Sequence, residues 1–201
     1  MSASAFRLGV VLLAAGGGSR FRDSANALGI PVAHKLLAPV RGRTVFEHAL
    51  TNAMDAAIGP VAVVTGAVVL SALDAHPDVV RLQNPSWSDG QASSLARGIA
   101  WAGELGLDAI VCGLGDQPFI PADAWQAVAN ADRDAAIVVA TYGGRRRNPV
   151  RLARSVWPLL ATEGDEGARP LMAARPDLVL EVACDGNPAD IDTAEDLLSW
   201  S

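Results

Sequence analysis

Three glycines, a hydroxyl and an arginine follow one another at Gly16-Gly17-Gly18-Ser19-Arg20, directly behind the apolar run Val10-Val11-Leu12-Leu13-Ala14-Ala15. Residues without a Cβ let the backbone turn sharply and bring its N–H groups up to a ligand. Ser19 adds a hydrogen bond and Arg20 a fixed positive charge, so the segment carries the donors that a phosphate chain needs. The glycines are contiguous, which matches neither G-x-x-x-x-G-K-[ST] nor G-x-G-x-x-G, and a glycine turn without a ligand is the plainer alternative. Further along, Asp116 stands in Gly115-Asp116-Gln117-Pro118, and Asp190 and Asp192 flank Ile191. Such carboxylates suit Mg²⁺, which takes one or two of them beside phosphate oxygens. Asp116 could instead cap the helix after Pro121. Asp192-Thr193 stands where the last helix needs its cap, so Asp190 is the better second metal candidate and Asp192 the other.

The elements that must carry these residues alternate between strand and helix. Short apolar stretches at Leu8–Ala14, Val61–Thr65, Val79–Gln83, Ala109–Leu114, Ala135–Thr141, Asn148–Leu152 and Val179–Ala183 are expected strands. Thr44–Ala57, Gln91–Glu104, Ala122–Ala131, Ser155–Leu160 and Ala194–Trp200 are expected helices, with Ser71–Ala75 a short one. Thr44 and Glu47 have the spacing of a capping box. The alternation predicts an α/β fold: one doubly wound, mostly parallel sheet with helices on both faces, in a single domain over residues 1–201. Ligands of such sheets collect beyond the carboxyl ends of the strands. Four post-strand segments supply glycine, hydroxyl or carboxylate at that edge: Gly16–Arg20, Asn84–Leu95, Gly115–Pro118 and Asp190–Leu197.

Bulk properties narrow the function classes. The 201 residues, half of them hydrophobic, suffice for a sizeable core. A net charge of -6 speaks against nucleic acid as the main partner. No apolar run has the length of a membrane span, so a soluble, cytoplasmic protein is expected. The first residues could pass for a short signal peptide, but their n-region holds only Arg7. The two cysteines, Cys112 and Cys184, are too few to staple a secreted fold and read as reduced thiols.

Five segments in order, L-A-A-G-G-G-S-R-F, N-P-S-W-S-D-G-Q-A-S-S-L, G-D-Q-P-F, G-D-E-G-A-R and D-I-D-T-A-E-D-L, together with Lys35-Leu36-Leu37, carry a family resemblance from Leu8 to Leu198. The chain resembles the MobA-like nucleotidyltransferases, most closely the branch containing molybdenum cofactor cytidylyltransferase. The resemblance implies a Rossmann-like nucleotidyltransferase fold. It also implies Mg²⁺-dependent transfer of a nucleotide, CMP for preference, from a triphosphate to a phosphorylated acceptor such as molybdopterin. It implies catalytic roles for Arg20, Lys35 and Asp116, and a triphosphate held by Ala14, Ala15, Gly16, Gly17, Gly18, Ser19, Arg20 and Lys35. Gly90, Gln91, Ser93 and Ser94 would meet base or ribose, although hydroxyls at a helix start are also ordinary caps. Arg147, Asn148, Asp165 and Arg169 would face the acceptor, or the arginine run would be a solvated hairpin flank.

The implied partners are an NTP, with CTP favoured over GTP, a small phosphorylated acceptor, and a molybdoenzyme or its chaperone; no nucleic acid or membrane is expected. Two departures stand out. Asp23–Ala33 intervenes before His34-Lys35, and Arg145-Arg146-Arg147 leads into Asn148-Pro149 where the branch often has His-Pro. The second keeps other acceptors open, such as a sugar phosphate or a phospholactate. An NAD(P)H-dependent dye oxidoreductase on the same scaffold is a further alternative. His34 reads as a loop residue. Of the five tryptophans only Trp87 lies in a site segment; the others are expected in the core or at its rim.

Overall fold

Strand β1 (Leu8–Ala14) is apolar throughout because it lies between two parallel neighbours and is covered on both faces. Val10, Leu12 and Ala14 pack on one side of the sheet, and Val11, Leu13 and Ala15 on the other, with the two-residue period of a strand. The computed structural model describes residues 6–32 and 34–200. Met1–Ala5, where the signal-peptide alternative begins, lie outside the described residues, as do Ala33 and Ser201; the apolar run of that alternative is the central strand β1.

After β1 come α1 (Ser19–Ala27), a small hairpin of β2 (Pro39–Val40) and β3 (Arg43–Thr44), α2 (Val45–Asp55), β4 (Val61–Thr65), β5 (Val80–Gln83) and α3 (Gln91–Glu104). The second half holds β6 (Ala109–Leu114), α4 (Ala122–Asn130), β7 (Ile137–Tyr142), β8 (Arg145–Ala153), α5 (Arg169–Ala174), β9 (Val179–Ala183) and α6 (Ala194–Leu198). The seven-stranded sheet has the order β5-β4-β1-β6-β8-β7-β9, and only β8 runs against its neighbours. Phe46 and Leu50 of α2 and Trp125 and Val128 of α4 cover one face. Leu95 and Trp101 of α3 and Met172 of α5 cover the other. Helices α1 and α6 meet through Phe21, Ala25 and Leu197. The expected doubly wound, mostly parallel α/β architecture is the one observed.

Several boundaries differ, each for a local reason. Helix α1 escapes a periodicity reading because only Phe21 and Ala25 of its nine residues are buried. Ser155–Leu160 is a 3₁₀ turn over Arg154–Leu159 rather than an α-helix, since Pro158 has no N–H to donate. Ser71–Ala75 is also a 3₁₀ turn. Strand β8 starts at Arg145, earlier than its apolar part, because Arg145–Arg147 pair with Tyr142, Thr141 and Ala140 of β7. Thr44 caps α2 with the capping box its spacing implies. The last helix stops at Leu198, and Thr193 rather than Asp192 is its cap.

The largest wholly buried side chain is a charged one, Arg151 of β8. Its Nη1 donates to the carbonyls of Ala129 (3.0 Å) and Ala131 (2.9 Å), and its Nη2 to those of Asp132 and, at 3.4 Å, Ala135. A guanidinium thus takes up the carbonyls that the end of α4 leaves without helical partners.

Candidate active site

Gly18 adopts φ 59°, a left-handed conformation open to glycine, and starts α1 with no side-chain cap. The first-turn amides of α1 therefore keep donors for an anion at the carboxyl end of β1. Behind the loop, His34 is buried rather than a free loop residue. Its Nε2–H donates to Gly16 O at 3.0 Å, and its Nδ1 accepts from the Leu36 amide at 3.2 Å, which fixes the tautomer. Burial, reinforced by the nearby Lys35 and Arg22 charges, holds its pKa below the ordinary range, so the brace is a neutral imidazole.

Next to this brace the charged residues converge. Lys35 Nζ lies 2.6 Å from Asp116 Oδ2 and 2.6 Å from Asp192 Oδ1, while Arg20 Nη1 lies 3.1 Å from Asp192 Oδ2. Asp23–Ala27 of the long segment before Lys35 belong to α1, and Lys35 still reaches the site. Burial disfavours the Lys35 charge, but Asp116 and Asp192 outweigh that effect and raise its pKa. Burial likewise disfavours charge on Asp192; Lys35 and Arg20 prevail and lower its pKa.

Asp190 sits on the other side of Ile191, whose amide donates to Asp116 O at 3.0 Å. Gln117 Nε2 donates to Asp190 Oδ1 and, at 3.0 Å, to Pro188 O, and Gln117 Oε1 accepts from Asn148 Nδ2 at 2.9 Å. Burial first, and the charge of Asp116 second, raise the Asp190 pKa. Asp116 Oδ1 is buried without any hydrogen-bond partner among the described residues. An unpartnered carboxylate oxygen whose charge is felt by a second buried acid, Asp190, is an arrangement that suits a cation. Among the described residues no group of three His, Cys, Asp or Glu side chains could hold a metal ion, so such a cation would need ligand oxygens as well.

Two chambers open here. One, of about 590 Å³, is lined by the glycine loop, Arg20, Lys35, Trp87, Gln91, Asp116 and Asp192. The other, of about 580 Å³, has an apolar floor including Cys112, Val139 and Met172, with Arg146, Arg147 and Asn148 around it. Leu13, Gln91, Arg169 and Asp190 line both. Burial pushes the Cys112 thiol up to about 12, so this floor carries no thiolate at neutral pH.

Most of the residues singled out in the sequence meet at these two chambers. Ala14, Ala15, Gly16, Gly17, Gly18, Ser19, Gly90, Gln91 and Ser94 line the first. Ser93 does not. Its hydroxyl lies 2.8 Å from Gly90 O and 3.0 Å from Ser86 O and accepts from Asn84 Nδ2, so it fastens the start of α3. Arg147 and Asn148 line the second chamber and Arg169 lines both, but Asp165 lines the first. The reason is the strap that carries it: Ala92 N donates to Gly164 O (2.9 Å) and Gly164 N to Asp89 O (3.1 Å), binding the strap to the start of α3 beside the first chamber. Gln117 and His34 are positioning residues that sequence reading left without a role. Gln117 had a signal, its place beside Asp116. Of the remaining tryptophans, Trp101 and Trp125 are buried, Trp200 stacks on Phe119 at 4.4 Å, and Trp157 Nε1 donates to Leu152 O at 3.1 Å.

Known proteins resemble the chain over most of its length. The MobA-like NTP transferase domain matches residues 10–183. A nicotine blue oxidoreductase of Paenarthrobacter nicotinovorans is 29% identical, with 93% of each chain covered. Among solved structures, a nucleotidyl transferase from Methanothermobacter thermautotroptrophicus superposes with a TM-score of 0.83 at 25% identity, covering 96% of this chain and 95% of its own. Rv0371C of Mycobacterium tuberculosis, solved in complex with manganese, has a TM-score of 0.74 at 26% identity, covering 96% and 97%. No helix among the described residues is long and apolar enough to cross a membrane. With the family's domain matched over most of its length and a nucleotidyl transferase sharing its fold, the chain belongs to the MobA-like NTP transferase family and is a nucleotidyltransferase.

Proposed function

We propose that the protein transfers CMP from CTP, in preference to GMP from GTP, to the phosphate of molybdopterin, releasing pyrophosphate, with Mg²⁺ held by Asp116 and Asp190. The observation that carries this reading is the junction of the two chambers, where Asp190 and Arg169 line both and the unpartnered Asp116 Oδ1 lies beside them. A phosphate oxygen of the acceptor attacks the α-phosphorus. The new P–O bond forms as the bond to the bridging oxygen of the β-phosphate breaks, and pyrophosphate leaves with that oxygen.

The acceptor phosphate is already ionised at neutral pH, so the protein's work is alignment and charge balance. Amides of the glycine loop and of the first turn of α1 donate to the triphosphate, and Arg20 and Lys35 offset the charge that gathers on the leaving pyrophosphate. Asp192 keeps both cations aimed into the chamber. Arg147 and Arg169 balance the acceptor phosphate, while the apolar floor of the second chamber suits a flat ring system. Mg²⁺, when bound, neutralises phosphate charge and draws electron density from the reacting phosphoryl group. The manganese complex of Rv0371C supports a divalent cation in this family. The product would pass to a molybdoenzyme or its chaperone in the cytoplasm.

Incubation with each α-labelled NTP, Mg²⁺ and molybdopterin tests this. The label is expected in the pterin product, fastest from CTP. Absence of transfer from every NTP by folded protein would overturn the reading. The resemblance to a nicotine blue oxidoreductase supports a second one, a dinucleotide pyrophosphate in the same loop. Loss of NADH absorbance with a dye acceptor, without NTP turnover, would favour it.

A further inference from the structure

Trp87 is the only aromatic side chain among the described residues lining the nucleotide chamber. It is 37% exposed, whereas Trp101 and Trp125 are 6% and 2% exposed. One edge of its ring is seated against Gly17, where a Cβ would lie 2.9 Å from Cζ3 and 3.2 Å from Cη2. Its own Cβ sits 2.7 Å from where a Cβ on Gly66 would be, and that position is also 2.9 Å from Ala15 Cβ. Gly17 thus makes room for the ring, and Gly66 for the Cβ that carries it. The turn that carries it is fixed, since Asp89 N donates to Ser86 O and Ser86 N to Asn84 Oδ1, both at 3.0 Å. An indole held in place and partly in solvent, in a chamber whose other apolar lining is aliphatic and whose remaining lining is glycine, polar and charged, offers a π-face at a defined position.

We propose that Trp87 is the stacking surface for the nucleobase. This rests on reading the chamber as the NTP site, with the phosphates on the glycine loop and the nucleoside extending toward Trp87, Gln91 and Ser94. Every base has a π-face, so stacking is tolerant of base identity. Trp87 therefore supplies affinity common to all nucleotides, and the polar groups around it supply the choice among them.

Dissociation constants for CTP, GTP and inorganic tripolyphosphate, measured for wild type, Trp87→Leu, Trp87→Phe and Arg20→Ala, test the assignment. Trp87→Leu is expected to weaken CTP and GTP by the same factor, about 5- to 150-fold, and to leave tripolyphosphate unchanged. CTP is expected to quench tryptophan fluorescence in wild type, and Trp87→Phe should retain most of the nucleotide affinity while losing that quench. An equal loss for tripolyphosphate would overturn the assignment, because Trp87 would then merely prop up Gly17. So would unchanged CTP and GTP affinity in Trp87→Leu. Arg20→Ala reports on the underlying reading separately. It should weaken all three ligands, and if it weakens none, or wild type binds no nucleotide, the chamber is not a triphosphate site and both readings fall.

Discussion

Gly16, Gly17 and Gly18 are chemically identical, yet their surroundings differ. Gly18 needs its positive φ, and Gly17 gives way to the Trp87 ring, whereas a Cβ at Gly16 would meet no protein atom within 4 Å. Only Gly16 separates ligand from fold cleanly. Gly16→Val should leave the unliganded protein within about 0.5 kcal/mol of wild type while sharply reducing its thermal stabilisation by nucleotide. Gly17→Val should destabilise the unliganded protein itself by roughly 1–3 kcal/mol through overpacking. Paired melting curves with and without CTP measure both, and normal nucleotide binding by Gly16→Val would show that the loop cradles no phosphate. Sequence alone ranked these three glycines equally, because spacing gives neither φ nor the neighbour across the chamber. His34 was illegible for the same reason: its partner Gly16 is eighteen residues away.

At the level of elements, β1, β4 and β6 were readable because strands buried on both faces are apolar without interruption. Helix α1 was not, since most of its surface faces away from the core and only Phe21 and Ala25 are buried. Arg151 lay equally hidden: in sequence it interrupts the apolar end of β8, and only the packing of α4 above that strand shows its four carbonyl acceptors. Arg151→Met keeps the bulk but strands those carbonyls, and is expected to cost roughly 2–5 kcal/mol in urea unfolding. The refolded fraction should bind nucleotide normally, because Arg151 lines neither chamber. A stability within about 0.5 kcal/mol of wild type would mean that the carbonyls find other partners.

Across the whole molecule, the rule that ligands gather beyond the carboxyl ends of parallel strands did more than any single motif. Six strands run one way, so segments far apart in sequence reach one edge, and Lys35, Asp116 and Asp192 meet within hydrogen-bonding distance. The division of that edge into two chambers was not legible, because it depends on the strap at Gly164–Arg169 and on the start of β8. Whether this edge performs nucleotidyl transfer through Asp116 is read most directly from pyrophosphate release by wild type and Asp116→Asn, at limiting Mg²⁺ with CTP and molybdopterin. Asparagine preserves the size of the side chain and leaves Lys35 paired with Asp192, so the variant should fold and still bind nucleotide, yet release pyrophosphate at least roughly 100-fold more slowly. Release at the wild-type rate would contradict the account.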